Sequence, residues 1–332
     1  MEQAELKNSA CSKNPQGKEH LITMIQPTPD LPTKREKTNK FQKFMNQVYA
    51  YLFLAPALLI FAFFNWDPII KTVVFSFQKV GLRGPTGWVG IKNFIRMFGN
   101  PSFGVAWMNV LEFVLLSLIF GFLVPIVLAM MIKEMRRFGT FFQVVTYIPT
   151  LVPVVVALLV WRMIFYPEGG ALNSFFALIN LPPQLWLQDT HFVKLSLVLV
   201  MTWMGAGGSV LIYLAALNEI NPEIYEAAEL DGVSPLQRIL YLTLPLIKSR
   251  MAIMLVLQIV AVTQVFTEPF VLTTGGPGTS TLTPVLQIYR TAFENSDFGL
   301  ASAWSVSLLI VLGSFMALYV WLNNRENNAN LA

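Results

Sequence analysis

Two carboxylates, Glu112 and Glu268, fall inside stretches apolar enough to cross a bilayer. At the centre of such a helix a charge costs about 2.5–3.5 kcal/mol on insertion scales, so each group needs an offset. They could line a polar cavity and gate a substrate, carry protons, or hold a polyamine. The plainer alternative puts both near a membrane surface, to which their side chains reach. Gln258 and Gln264 add uncharged groups that both donate and accept, which suits a hydroxyl-rich ligand. On helical spacing Gln258, Val262, Val265 and Glu268 share a face, with Gln264 to one side. An amide in lipid also ties neighbouring helices together, and the two readings stand level. Gly205, Gly207, Gly208 and Ser209 leave a notch, first for the close approach of another backbone and second for a ligand. Arg162 is the one basic group at depth that an anion could use.

Other chemistry is missing from the sequence. No G-x-x-x-x-G-K-[ST] loop is present to cradle ATP phosphates, and there is no HExxH, CxxC or GxSxG. His20 and His191 are too few and too far apart for a metal site. Cys11 stands alone, which rules out a disulfide within the chain and a cysteine metal cluster. Without a catalytic constellation the chain does not read as an enzyme, and it is expected to bind no cofactor of its own. Any ATP hydrolysis must come from another subunit.

These residues need helices in lipid to position them. Of 332 residues, 55% are hydrophobic and 13% charged, too little polar surface to coat a soluble globule of this size. A bilayer core takes about 20 apolar residues per helix. Six stretches meet that length: residues 48–66, ending at Asp67-Pro68, then 105–132, 141–165, 193–217, 251–273 and 300–322. The fold expected is an all-α integral membrane protein with six transmembrane helices over residues 44–325. The net charge of +4 reflects topology and not a nucleic-acid footprint, because eight of the 23 basic residues lie in the first 48 positions. With the amino terminus inside, the inner side carries fifteen Lys and Arg and the outer side eight. That places both termini in the cytoplasm. Lys71, Lys79, Arg83, Lys92 and Arg96 in the first outer loop run against the rule. Residues 1–43 lack a secretory h-region and read as a disordered cytoplasmic tail, and 326–332 as a short one.

Between the fourth and fifth spans lies a polar insert, residues 218–248, that reads as two short helices. Asn221 caps the first, Pro222 suits its first position, and Gly232 can take the left-handed conformation that ends it. Ser234 and Pro235 then start a second helix, on which Leu236, Ile239 and Leu240 form an apolar stripe while Gln237, Arg238 and Tyr241 face elsewhere. Such a hairpin is a knob on the membrane face with one side free to enter a partner's groove.

The same insert carries a family resemblance. Glu226-Ala227-Ala228, three residues, Gly232, nine residues and Leu242-Thr243-Leu244-Pro245 resemble the EAA loop of bacterial ATP-binding-cassette importer permeases. Three further stretches are similar to carbohydrate permeases: Trp88 to Phe94 to a V-G-x-x-N-[FY] pattern, Phe270 to Pro277 to L-T-x-G-G-P, and Gly299 to Ser305 to G-[YL]-A-S-A-x-S. The resemblance is to permease subunits of maltose-type carbohydrate importers and covers residues 48–325. It implies a type I importer transmembrane domain in the cytoplasmic membrane, paired with a second permease subunit. It also implies two cytoplasmic ATPase subunits that hold ATP and Mg, and an extracytoplasmic sugar-binding protein. Glu226, Ala227, Ala228, Asp231, Gly232, Leu244 and Pro245 are implied to couple to the ATPase. The family's sugar contacts map near Gly205, Gly208, Gln258, Val262 and Val265, where the two valines depart from a relative's amides. Gln264 and Glu268 lie beside them. Import of a non-sugar solute, a proton-coupled transporter and a membrane scaffold are the alternatives, of which the last two leave the EAA spacing unexplained.

Overall fold

The computed structural model describes residues 40–135 and 137–329. The expected tail over residues 1–39, with His20 and Cys11, lies outside the described residues, as do Arg136 and residues 330–332. Contacts divide the chain into two compact units, Met1–Phe64 and Asn65–Ala332. The described part of the first unit is helix α1, Lys40–Phe61, whose outward apolar side chains include Phe53 and Leu59.

The second unit opens with α2 (Asp67–Ser76) and a two-stranded antiparallel hairpin, β1 (Gln78–Gly81) with β2 (Gly84–Trp88). A short helix α3 (Lys92–Phe98) leads into α4 (Ser102–Ser117) and α5 (Val124–Glu134), which are joined by a π-helical turn. Then come α6 (Gly139–Leu151), α7 (Val154–Ile164), α8 (Ala171–Leu178) and α9 (Val193–Asn218). The polar insert contributes α10 (Pro222–Leu230) and α11 (Pro235–Gln237), and α12 (Leu244–Thr263) follows. The chain closes with α13 (Pro284–Tyr289) and α14 (Phe298–Ala329).

Among the described residues five helices are long and apolar enough to cross a membrane: Gln47–Ser76, Ser102–Glu134, Val193–Asn218, Pro235–Thr263 and Phe298–Trp321. The pair α6 and α7 is long and apolar enough together for a sixth, but it is bent by 100° at its break. The apolar stretch over 141–165 is therefore two helices and not one. Pro153 has no N–H to continue the helix and pushes Val152 out of the helical region, to φ −73°, ψ 131°.

Proline has the opposite effect at three other places. The π-helical turns Ala62–Trp66, Leu118–Leu123 and Arg238–Thr243 each end two residues before a proline: Pro68, Pro125 and Pro245. A proline lacks the backbone donor and crowds the carbonyl four residues back, and the wider turn takes up both faults. The first span consequently runs past Asp67-Pro68, where it was expected to stop. The second helix of the insert is likewise no separate piece, since it continues into the fifth span as one helix, Pro235–Thr263. The wide turn also breaks the expected stripe: Leu236 is exposed while Ile239 is half-buried.

Helix α9 is the spindle of the second unit. It packs against α5, α6, α4 and α12. Near its carboxyl end Val210, Tyr213 and Leu217 join Ile126, Ile132 and Ile247 in one apolar cluster. Near its start Val193 and Leu197 pack with Phe113, Leu158 and Phe165 in a second. A third cluster, on the side away from the insert, holds Met97, Ala106, Leu286 and Trp304. In lipid such packing, and not expulsion of apolar surface from water, draws the helices together.

Candidate functional site

The insert is held by its own backbone chemistry. Asn221 Oδ1 accepts from the Glu223 N–H at 3.1 Å and Pro222 opens α10. At the other end Gly232, at φ 72°, donates to Glu229 O at 3.1 Å, and Val233 donates to Ala228 O at 3.0 Å. This pair of bonds is a Schellman motif, which satisfies carbonyls that the helix end leaves open. One residue later Ser234 and Gln237 form a reciprocal capping box, with Ser234 N–H donating to Gln237 Oε1 at 3.0 Å. Two caps separated by a single residue leave the corner little freedom.

Arg238 ties this corner to the rest of the chain. Its guanidinium donates to Glu229 Oε1 at 2.9 Å and to Glu134 Oε1 at 3.1 Å, joining α10 to the end of α5. The ring of Tyr225 lies 5.6 Å from Arg238 Cζ and 5.0 Å from Lys133 Nζ. Lys133 in turn donates to Leu217 O at the end of α9. Tyr225 and Arg238 hold this corner together, and the sequence reading gave neither a place in the site. A basic residue inside an acidic hairpin was the only available signal.

The free side of the hairpin presents Glu226, Ala227, Asp231 and Gly232, all exposed, around Leu230, which is 90% exposed. Ala228 faces inward and is buried. Leu244 is half-buried and Pro245 exposed at the point where the π-helical turn passes into α12. An acidic rim around a projecting leucine suits a groove with an apolar floor and basic walls.

The residues expected along a path are placed differently from one another. A Cβ on Gly207 would meet Thr146 O at 2.6 Å and Tyr147 Cα at 2.7 Å, so this glycine is where α6 approaches α9. Gly205 and Gly208 have no atom within 4 Å of an added Cβ and leave an open surface on α9. Gln258 Nε2 donates to Ser117 Oγ at 3.0 Å, bridging α12 to α4. Val262 and Val265 are 1% and 5% exposed, within the cluster around Phe113 and Leu158. The helix stops at Thr263, so the expected common face of Gln258, Val262, Val265 and Glu268 does not continue past it. Gln264 is exposed and donates to Val260 O at 3.1 Å, capping the helix end. Glu268 is half-buried beyond the break. Glu112 is paired with Lys194 across α4 and α9, which offsets its charge.

The three stretches outside the insert act as anchors. Asn93, 3% exposed, donates to Ser76 O at 3.0 Å and Gln78 O at 2.8 Å. A Cβ on Gly299 would meet that same Asn93 side chain at 3.0 Å, so the first and last stretches pack on one another. In the middle stretch Thr273 Oγ1 lies 2.7 Å from Thr281 Oγ1, and Arg290 donates to Thr274 O. Asn109 of α4 fixes the loop that follows, donating to Thr279 O at 2.7 Å and Leu282 O at 2.9 Å.

Comparison with known proteins agrees with this architecture. The chain is 33% identical over 265 residues to the arabinooligosaccharides transport system permease protein AraP of Bacillus subtilis, covering 79% of this chain and 84% of AraP. It is 31% identical over 271 residues to the probable ABC transporter permease protein YurN of the same organism, covering 80% and 92%. Among solved structures, a chain of a bacterial ABC transporter involved in import of the acidic polysaccharide alginate matches at a TM-score of 0.77 and 26% identity, covering 86% of this chain and 99% of that one. The fold is that of a type I ABC importer transmembrane domain. With the family pattern matched over residues 114–327, the chain belongs to the binding-protein-dependent transport system inner membrane components.

Proposed function

We propose that this chain is one of two permease subunits of an ATP-driven importer that moves an oligosaccharide across the cytoplasmic membrane. The observation that carries the reading is the double-capped hairpin locked by Arg238 to Glu229 and Glu134, with Glu226, Ala227, Leu230 and Asp231 outward. A rigid knob of that kind can pass a partner's motion to the ends of α5 and α9 as a rigid-body shift. The partner is a pair of cytoplasmic ATPase subunits, which hold ATP and Mg, while this chain binds neither. The charge asymmetry of the loops supports a cytoplasmic hairpin and cytoplasmic termini. Relatives named for arabinooligosaccharides and alginate support a sugar polymer as cargo. A complex that includes an alginate-pentasaccharide-bound periplasmic protein supports delivery by an extracytoplasmic sugar-binding protein. The open surface at Gly205 and Gly208 is where the path borders this chain, with Gln264 and Glu268 beyond the break. The pairing of Glu112 with Lys194 weighs against a proton carrier there.

The test is the ATPase activity of the purified complex in lipid, measured against a panel of binding proteins and sugars. Stimulation by one loaded binding protein and not by the sugar alone is the expected result. Activity indifferent to every binding protein, or a chain that purifies without an ATPase, refutes the coupling role.

A further inference from the structure

Lys71, near the end of the first spanning helix, and Lys79, Arg83, Lys92 and Arg96 in the loop that follows make a positive excess that topology leaves unexplained. Two of these are neutralised within the protein. Lys71 pairs with Asp67 at 2.7 Å and Arg96 with Asp297 at 2.8 Å. Lys79, Arg83 and Lys92 are exposed.

Helix α3 shows what surrounds them. At about 100° per residue, Ile91, Ile95 and Phe98 fall on one stripe, Asn93 and Met97 on another, and Lys92 and Arg96 between the two. Asn93 and Met97 are buried at 3% and 0% exposure, whereas Ile91, Ile95 and Phe98 stand 61–63% exposed. On the adjoining β-hairpin Trp88 and Leu82 are also exposed. Two tethers hold this apolar surface against the ends of its neighbouring helices. Asn93 bonds Ser76 O, the last residue of one spanning helix, and Ser102, four residues after Phe98, begins the next. Helix α3 therefore lies beside the ends of two helices that are long and apolar enough to cross a membrane.

An apolar stripe bordered by basic residues and a tryptophan, beside the ends of membrane-spanning helices, is the pattern of a segment lying in a membrane interface. We propose that this loop is seated in the headgroup layer of its leaflet. Ile91, Ile95 and Phe98 rest at the acyl boundary, and Lys79, Arg83 and Lys92 hold the phosphates of anionic phospholipids. Charge complementarity selects the lipid: three exposed cations beside an apolar stripe match a phosphatidylglycerol headgroup above its acyl chains. The proposal is independent of which solute is carried.

The test uses the full complex in nanodiscs, with Cys11→Ser as background and a nitroxide placed by Ile95→Cys or, as an aqueous control, Glu168→Cys. Collision with oxygen, relative to a water-soluble nickel chelate, is expected to be several-fold higher at position 95 than at 168. Equal ratios at the two positions, or a label at 95 shielded from both reagents by a covering protein, overturn the seating in lipid. The Lys79→Gln/Arg83→Gln/Lys92→Gln variant is expected to lose preference for spin-labelled phosphatidylglycerol over phosphatidylcholine by about fivefold for each charge removed. An unchanged preference overturns the headgroup assignment.

Discussion

Gly207→Ala and Gly208→Ala are neighbouring substitutions on one helix with opposite expected outcomes. At Gly207 the new methyl would lie 2.6 Å from Thr146 O, 2.7 Å from Tyr147 Cα and 2.8 Å from Thr150 Oγ1. Two of those atoms are backbone and cannot rotate away. Restoring ordinary contact at 3.4 Å requires α6 to withdraw by about 0.8 Å. That movement also strains the bond from Thr150 Oγ1 to Met204 O, now 2.9 Å. Overpacking of this kind costs about 1–3 kcal/mol. At Gly208 the methyl meets nothing within 4 Å. Both variants gain the same helix propensity, roughly 0.5–1 kcal/mol, so their difference isolates the steric cost. At roughly 2–4 °C per kcal/mol, Gly207→Ala should melt roughly 2–12 °C below Gly208→Ala. Thermal unfolding of the purified complex in nanodiscs, followed by intrinsic fluorescence, reads this directly. Coincident midpoints, or the reverse order, refute the assignment of Gly207 to packing and of Gly208 to an open surface.

Three other substitutions separate the roles assigned above. Gly232→Pro forbids the positive φ and removes the bond to Glu229 O. Normal membrane insertion is expected, with ATPase activity no longer following the loaded binding protein, and loss of the protein from the membrane counts against a role for Gly232 in coupling. Glu112→Gln leaves the largely buried Lys194 ammonium an amide acceptor in place of a half-exposed carboxylate, so a loss of about 1–3 kcal/mol in stability with retained uptake is expected. Abolished uptake in a well-folded variant would revive proton carriage. Asn109→Ala deprives two loop carbonyls of their donor and should cost about 2–3 kcal/mol, seen as a lower unfolding midpoint. An unchanged midpoint would show that the loop is fixed by other contacts.

The caps of the hairpin were legible because they are local. Asn221, Pro222, Gly232, Ser234 and Pro235 act on backbone groups a few residues away, and the structure places each as its chemistry requires. The bend at Val152-Pro153 was hidden inside an apolar run, where mean hydropathy looks the same for a straight and a folded crossing. The end of the fifth span at Thr263 escaped notice because Val265 and Phe266 continue the apolar character beyond the last helical residue. The shared face through Gln258 and Glu268 presumed an unbroken helix and failed with it. The second partner of Arg238 was out of sight, since Glu134 lies 104 residues away in sequence. For the same reason the hydrogen bond from Gln258 to Ser117, 141 residues apart, could only be left open between glue and ligand contact. The β-hairpin at 78–88 is too short, and too rich in glycine, to announce itself by alternation.

Each π-helical turn amounts to an inserted residue that the helix has absorbed without unwinding. An inserted residue rotates everything downstream by about 100° about the axis. Beyond Leu118–Leu123 that rotation sets the azimuth of all of α5, including Glu134 at its far end. A one-residue deletion in this turn would therefore do more than shorten the crossing. It would swing Glu134 a quarter of the way round the helix, away from Arg238, and unlatch the hairpin from a point some ten residues distant. The length of the second crossing is thus counted in phase as well as in ångströms, and the hairpin's attachment depends on that count.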